Sequence, residues 1–110
     1  MAKYKMIVLT QPIAGKESEY NDWYQNVHLS QVVNVEGLTG VQRYRLAHNV
    51  GKEAVLPYLA IYDMETDDLA GVMAEMDRRA GTDRMVVSDA VDQQCLIAAV
   101  YEELGARVNS

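Results

Sequence analysis

"LTGVQRYRLAHNVGKEAVLPYLAIYDME", residues 38–65, holds two alternating runs around a polar turn. In the first run, residues 38–48, Val41, Arg43 and Arg45 point one way and Gln42, Tyr44 and Leu46 the other. That is the two-residue period of a half-buried strand. In the second, residues 56–65, Leu59 and Ile61 oppose Tyr58, Ala60 and Tyr62. The intervening "NVGKEAV" is polar and reads as a turn. What flanks this pair of strands decides the fold.

On the N-terminal side lies "GKESEYNDWYQNVHL", where Tyr20, Trp23, Tyr24 and Val27 recur at the helical spacing i, i+3, i+4, i+7. Glu17, Glu19 and Asp22 suit the positive end of its dipole. Ser30 is placed to cap a second short helical piece, "SQVVNVEG", ended by Gly37. An interruption at Leu29–Ser30 sets His28 beside helix C-terminal carbonyls, a location that favours the imidazolium. On the C-terminal side, "DDLAGVMAEMDRRA" presents Leu69, Val72, Met73 and Met76 on one face, with Arg78 and Arg79 near its end. Further out, residues 3–10 of "KYKMIVLTQP" form a β-rich run stopped by Pro12 and turned at Gly15. "GTDRMVVSDAVD" shows no clear period and reads as a loop, "QQCLIAAVYEEL" as a long apolar strand, and "GARVNS" as a fraying tail.

The order is β-α-β-β-α-β, which predicts an α+β, ferredoxin-like fold: a four-stranded antiparallel sheet with two helices on one face. Residues 1–110 fit one domain. The strands nevertheless carry apolar residues on both parities. An uncovered apolar sheet face would expose a patch that monomers rarely tolerate. A homodimer packed through its sheet faces, a dimeric α+β barrel, resolves this.

Composition narrows the partners. Sixteen acidic and 10 basic residues give a net charge of −6, with no Lys/Arg stripe, which argues against nucleic-acid binding. No apolar run approaches the length of a membrane span, and the N-terminal run is too short for a signal sequence. A single cysteine, Cys95, excludes an internal disulfide and points to a reducing, cytoplasmic setting. With two histidines and no HxH, HExxH, CxxC, GxGxxG or P-loop pattern, neither a metal site nor a nucleotide cofactor is expected. One histidine can still ligate haem. Cys95 lies in an apolar strand, where burial keeps a thiol inert.

The run "QPIAGKESEYNDWYQNVHLSQVVNVEGLTGVQRYRL" resembles the EthD-like family of the dimeric α+β-barrel superfamily. Pro12, Gly15, Tyr20, Trp23, Tyr24, His28, Leu29, Gly37, Gln42, Arg43 and Tyr44 carry the likeness. It spans about residues 6–64, with "YLAIYDME" similar to the family's third strand. Ser30 and Glu36 stand where family members often have proline. The resemblance implies the fold reached above. It leaves open the superfamily's range of chemistries: cyclases, lactone isomerases, monooxygenases, decarboxylases and dehydratases.

His28 is the leading catalytic candidate, since an imidazole moves protons near neutral pH. A structural histidine bonded to a helix-end carbonyl is the plainer reading. Tyr24 and Tyr62 are candidates to polarise a substrate oxygen. Trp23, Tyr20, Arg43, Tyr44 and Asp63 are expected to bind substrate. Trp23, Tyr20 and Tyr24 also read as amphipathic-helix core, and Arg43 also reads as reaching the rim or pairing with a carboxylate. His48 reads as solvent-facing. The expected function is a small cofactor-independent lyase, isomerase or cyclase acting on an aromatic, polyketide-like or lactone metabolite. A cofactorless monooxygenase and a non-catalytic dimeric binding protein are the alternatives.

Overall fold

The computed structural model describes residues 1–110. β1 (Ala2–Thr10) leads into α1 (Glu17–Trp23), a π-helical turn (Tyr24–His28) and α2 (Leu29–Val33). β2 (Leu38–Arg45), β3 (Tyr58–Thr66), α3 (Leu69–Arg79) and β4 (Ile97–Glu102) follow. The sheet is antiparallel throughout, in the order β2-β3-β1-β4. This is the ferredoxin-like arrangement expected from the element order.

The alternation in β2 and β3 sorts residues as the sequence indicates. Ala60, Tyr62 and Met64 of β3 are buried under the helices, with Tyr24, Leu29, Val32, Val35 and Val72 against them. Across the sheet, Met6 pairs with Tyr62 and Val8 with Ala60, so β1 extends the same inner face. The outer face carries Ile7, Leu9, Leu59, Ile61 and, on β4, Ile97, Ala99 and Tyr101. Its other end carries Lys3 and Lys5, which pair with Glu65 and Asp63.

Two expectations differ. β4 begins at Ile97, where it meets Leu9 of β1, and the preceding Gln93–Leu96 do not join the ladder. The first helix is not interrupted at Leu29–Ser30: α1, the π turn and α2 run on with helical dihedrals at Trp23, Tyr24, His28 and Leu29. The amide of Leu29 donates to the carbonyl of Tyr24, five residues back, which is the π-helical bond. Ser30 is therefore no cap; its hydroxyl donates to the carbonyl of Val27 at 3.0 Å. Helix proper ends at Val33, and Gly37, at φ 102°, turns the chain into β2.

α3 is fixed at its start by Asp68, whose carboxylate accepts the amide of Gly71 at 3.0 Å. Arg78 and Arg79 both bond Glu75 near its end. The following loop is docked rather than free. It buries Met85, Ala90 and Val91, and Ala90 accepts the amide of Ile13 at 2.7 Å. No helix is long and apolar enough to cross a membrane.

Candidate active site

The π turn determines what the first helical segment shows the sheet. Tyr20 and Tyr24 are buried one α-turn apart, and the next buried residue is Leu29, a step of five. The wider turn leaves Trp23, Tyr24 and His28 grouped together. The indole and imidazole stack at 4.5 Å with 25° between planes, and Tyr24 meets His28 edge-on at 5.1 Å. π turns concentrate at functional sites because the inserted residue redirects side chains.

His28 is not the helix-end imidazolium anticipated above. The helix continues past it, so no open carbonyls favour the cation. Burial instead lowers its pKa from 6.5 to about 4. Its Nδ1 is buried and has no hydrogen-bond partner. A buried polar atom without a partner is costly and uncommon, and warrants a functional explanation. At neutral pH the ring is a neutral base among aromatics.

Beyond Tyr24, three further phenols extend the cluster toward the sheet: Tyr62, Tyr20 and Tyr58. Tyr62 donates to the hydroxyl of Tyr24 at 3.4 Å, and Tyr20 shares a short hydrogen bond with Thr10. Burial pushes the pKa of Tyr20, Tyr24 and Tyr62 upward, so all three stay protonated donors. Because Tyr62 donates to Tyr24, the Tyr24 proton is left to donate elsewhere. Tyr58 donates to Glu17 at 2.7 Å and accepts from Asn21 at 3.2 Å.

Arg43 enters from β2 on the inner face, opposite Ala60. Its guanidinium carbon lies over the Tyr24 ring at 4.5 Å, with the Tyr58 and Tyr20 rings at 5.5 and 5.6 Å. Its Nη2 donates to Asn21 Oδ1 at 2.7 Å. A guanidinium against ring faces is held by the aromatic quadrupole.

His28, Tyr24, Tyr62, Trp23, Tyr20 and Arg43 are thus brought together. Tyr44 and Asp63 are not. Tyr44 lies on the outer sheet face, 48% exposed, and Asp63 on that same face pairs with Lys5. Strand alternation separates both from Arg43 and Tyr62. Sequence reading missed Asn21, Glu17 and Thr10, which orient the cluster. The i, i+4 spacing of Glu17 and Asn21 along the helix was the available signal. It also missed the hold on the loop after α3: Trp23 Nε1 donates to the Val86 carbonyl at 3.0 Å, and Gln31 bonds Asp83 and Val86. A separate groove of about 810 Å³ lies between Glu36–Thr39 and α3, but its Glu75, Arg78 and Arg79 already satisfy one another. No group of acidic, histidine or cysteine side chains has metal-binding geometry.

No protein-family model matches the sequence, and no curated protein matches it. Solved structures do. A candidate monooxygenase from Shewanella loihica PV-4 superposes with TM-score 0.62 at 15% identity, covering 96% of this chain and 99% of that one. An EthD-family protein from Bacillus halodurans gives 0.54 at 15% identity, over 94% and 100%. A single-substitution variant of MhuD, with two manganese protoporphyrin IX bound per active site, gives 0.58 at 20%, over 97% and 99%. The chain shares its α+β, ferredoxin-like fold with these structures. The EthD-like resemblance read from its first half agrees with that fold.

Proposed function

We propose that the chain is a small enzyme that moves a proton on an aromatic, polyketide-like or lactone metabolite, with His28 as the base. The observation that carries this reading is the neutral, partner-less Nδ1 of His28 within a cluster of aromatic rings and phenol donors. A planar substrate seated against Trp23 and Tyr24 would present a carbon-bound proton to the imidazole. Charge then develops on the substrate oxygen, where the Tyr24 hydroxyl, backed by Tyr62, donates. Returning the proton to another carbon gives isomerisation; expelling a leaving group gives a lyase or cyclisation outcome. The proton step itself requires no bound cofactor.

A cofactor-independent monooxygenase shares the first step, since the carbanion left by deprotonation can reduce dioxygen. The likeness to a candidate monooxygenase supports keeping this second reading. The working unit is a homodimer joined through the outer sheet faces.

Exchange of the C1 protons of 2-tetralone in D₂O, followed by NMR, tests the chemistry. The protein is expected to accelerate exchange, and His28→Asn to lose about 10²-fold or more of that acceleration while keeping its melting temperature. Exchange no faster than buffer, or equally fast in His28→Asn, sinks the proposal. Oxygen consumption during the same incubation separates the monooxygenase from the isomerase.

A further inference from the structure

Arg43 is the one cation among the rings, and no carboxylate pairs with it directly. The chain's ion pairs join the N-terminus to Asp67, Lys3 to Glu65, Lys5 to Asp63, and Arg78 and Arg79 to Glu75. Supply is not the reason Arg43 is left out, because acidic residues outnumber basic ones 16 to 10. Glu17 is the carboxylate nearest in the hydrogen-bond chain, but two neutral groups intervene. Arg43 bonds Asn21, Asn21 bonds Tyr58, and Tyr58 bonds Glu17. A partly buried guanidinium without a counter-charge is costly, and the three ring faces offset only part of that cost. Its remaining N–H groups form a planar fork that fits a carboxylate.

We propose that Arg43 is a specificity-determining residue that holds a carboxylate on the substrate, narrowing its class to planar aromatic or enolic acids. The inference rests on the reading of the cluster as a substrate site. The Tyr24 ring touches both Arg43 and His28, so a carboxylate anchored there neighbours the imidazole. An anion in that position favours the imidazolium and makes His28 a stronger base once substrate is bound. Anchoring and activation would then come from one group.

Titration of ¹⁵N-labelled protein with 2-naphthoate and with 2-naphthamide tests this, because Trp23 is the only tryptophan and gives one indole N–H signal. The acid is expected to bind about tenfold or more tightly than the amide. Arg43→Gln should abolish that preference by weakening the acid while leaving the amide unchanged. Arg43→Lys, which keeps the charge, should retain about threefold preference. Equal affinities, absence of binding by the acid, or an undiminished preference in Arg43→Gln each overturn the proposal. If Arg43→Gln does not fold, loss of all preference in a folded Arg43→Lys overturns it as well. His28→Asn should keep the preference. An Arg43-dependent preference without turnover would therefore leave the anion site standing while the catalytic reading fell.

Discussion

An imidazole whose Nδ1 is sealed without a partner titrates against the protein interior, and its stability consequence has a definite sign. The unfolded chain protonates His28 near 6.5 and the folded chain near 4. Between those values the unfolded state binds the extra proton, so the native state loses stability as pH falls through that window. Above about 6.5 both states are neutral and the contribution is fully retained. The shift corresponds to about 3 kcal/mol in total. Comparing the wild type with His28→Asn by chemical denaturation cancels the titration of the carboxylates. The wild type should lose about 2 to 3 kcal/mol more than the variant between pH 7.5 and 4.5, and a constant gap would mean the ring is solvated. At this scale the site was partly legible. His28 stood out by rarity, and strand parity placed Arg43 on the same face as Val41. Parity equally sends Tyr44 and Asp63 to the other face, where they lie. Asn21, Glu17 and Thr10 were not legible, because a polar residue bonding inward reads the same as one facing water.

At the scale of elements, two boundaries trace to local devices that can be removed. Gly37 turns the chain into β2 at φ 102°, and a Cβ added there would lie 2.9 Å from Val72 Cγ2. Gly37→Ala combines backbone strain with that clash and should destabilise the fold by about 2 kcal/mol or more in equilibrium denaturation. A change below 0.5 kcal/mol would show that the turn relaxes freely. Asp68→Ala removes the side-chain cap of α3 and should cost about 1 kcal/mol by the same measurement. The strands were readable because a period of two leaves little ambiguity once one face is apolar. The π turn was not. Its buried residues run 20, 24, 29 and 32, and the step of five breaks the helical period as a helix end would. Ser30 beside that step completes the appearance of a new start, although the backbone never leaves the helical region.

The proportions of the whole molecule support the proposed dimer. Its extents are 42 × 40 × 22 Å, a slab one sheet and one helical layer thick. The radius of gyration is 14.8 Å, against about 13 Å for a compact globule of this length. Only 14 of 110 residues are buried, few for a chain so rich in Val, Leu, Ile and Met. The missing burial is found on the outer sheet face, where Ile7 pairs with Ile61 and Leu9 with Leu59, flanked by Ile97 and Tyr101 of β4. The charged end of the same face, Lys3, Lys5, Asp63 and Glu65, would contribute little energy to the proposed dimer but would discourage slipped packing. A second copy rotated onto this face would bury the apolar half and leave the helices, with the aromatic cluster, outside. Light scattering at micromolar concentration should therefore give twice the 12.3 kDa chain mass. Ile61→Lys, at the centre of the patch, should give the single-chain mass with β-sheet circular dichroism retained. A wild type that scatters as one chain would remove the face-to-face dimer. If Ile61→Lys remains dimeric, the partner must be sought on another surface.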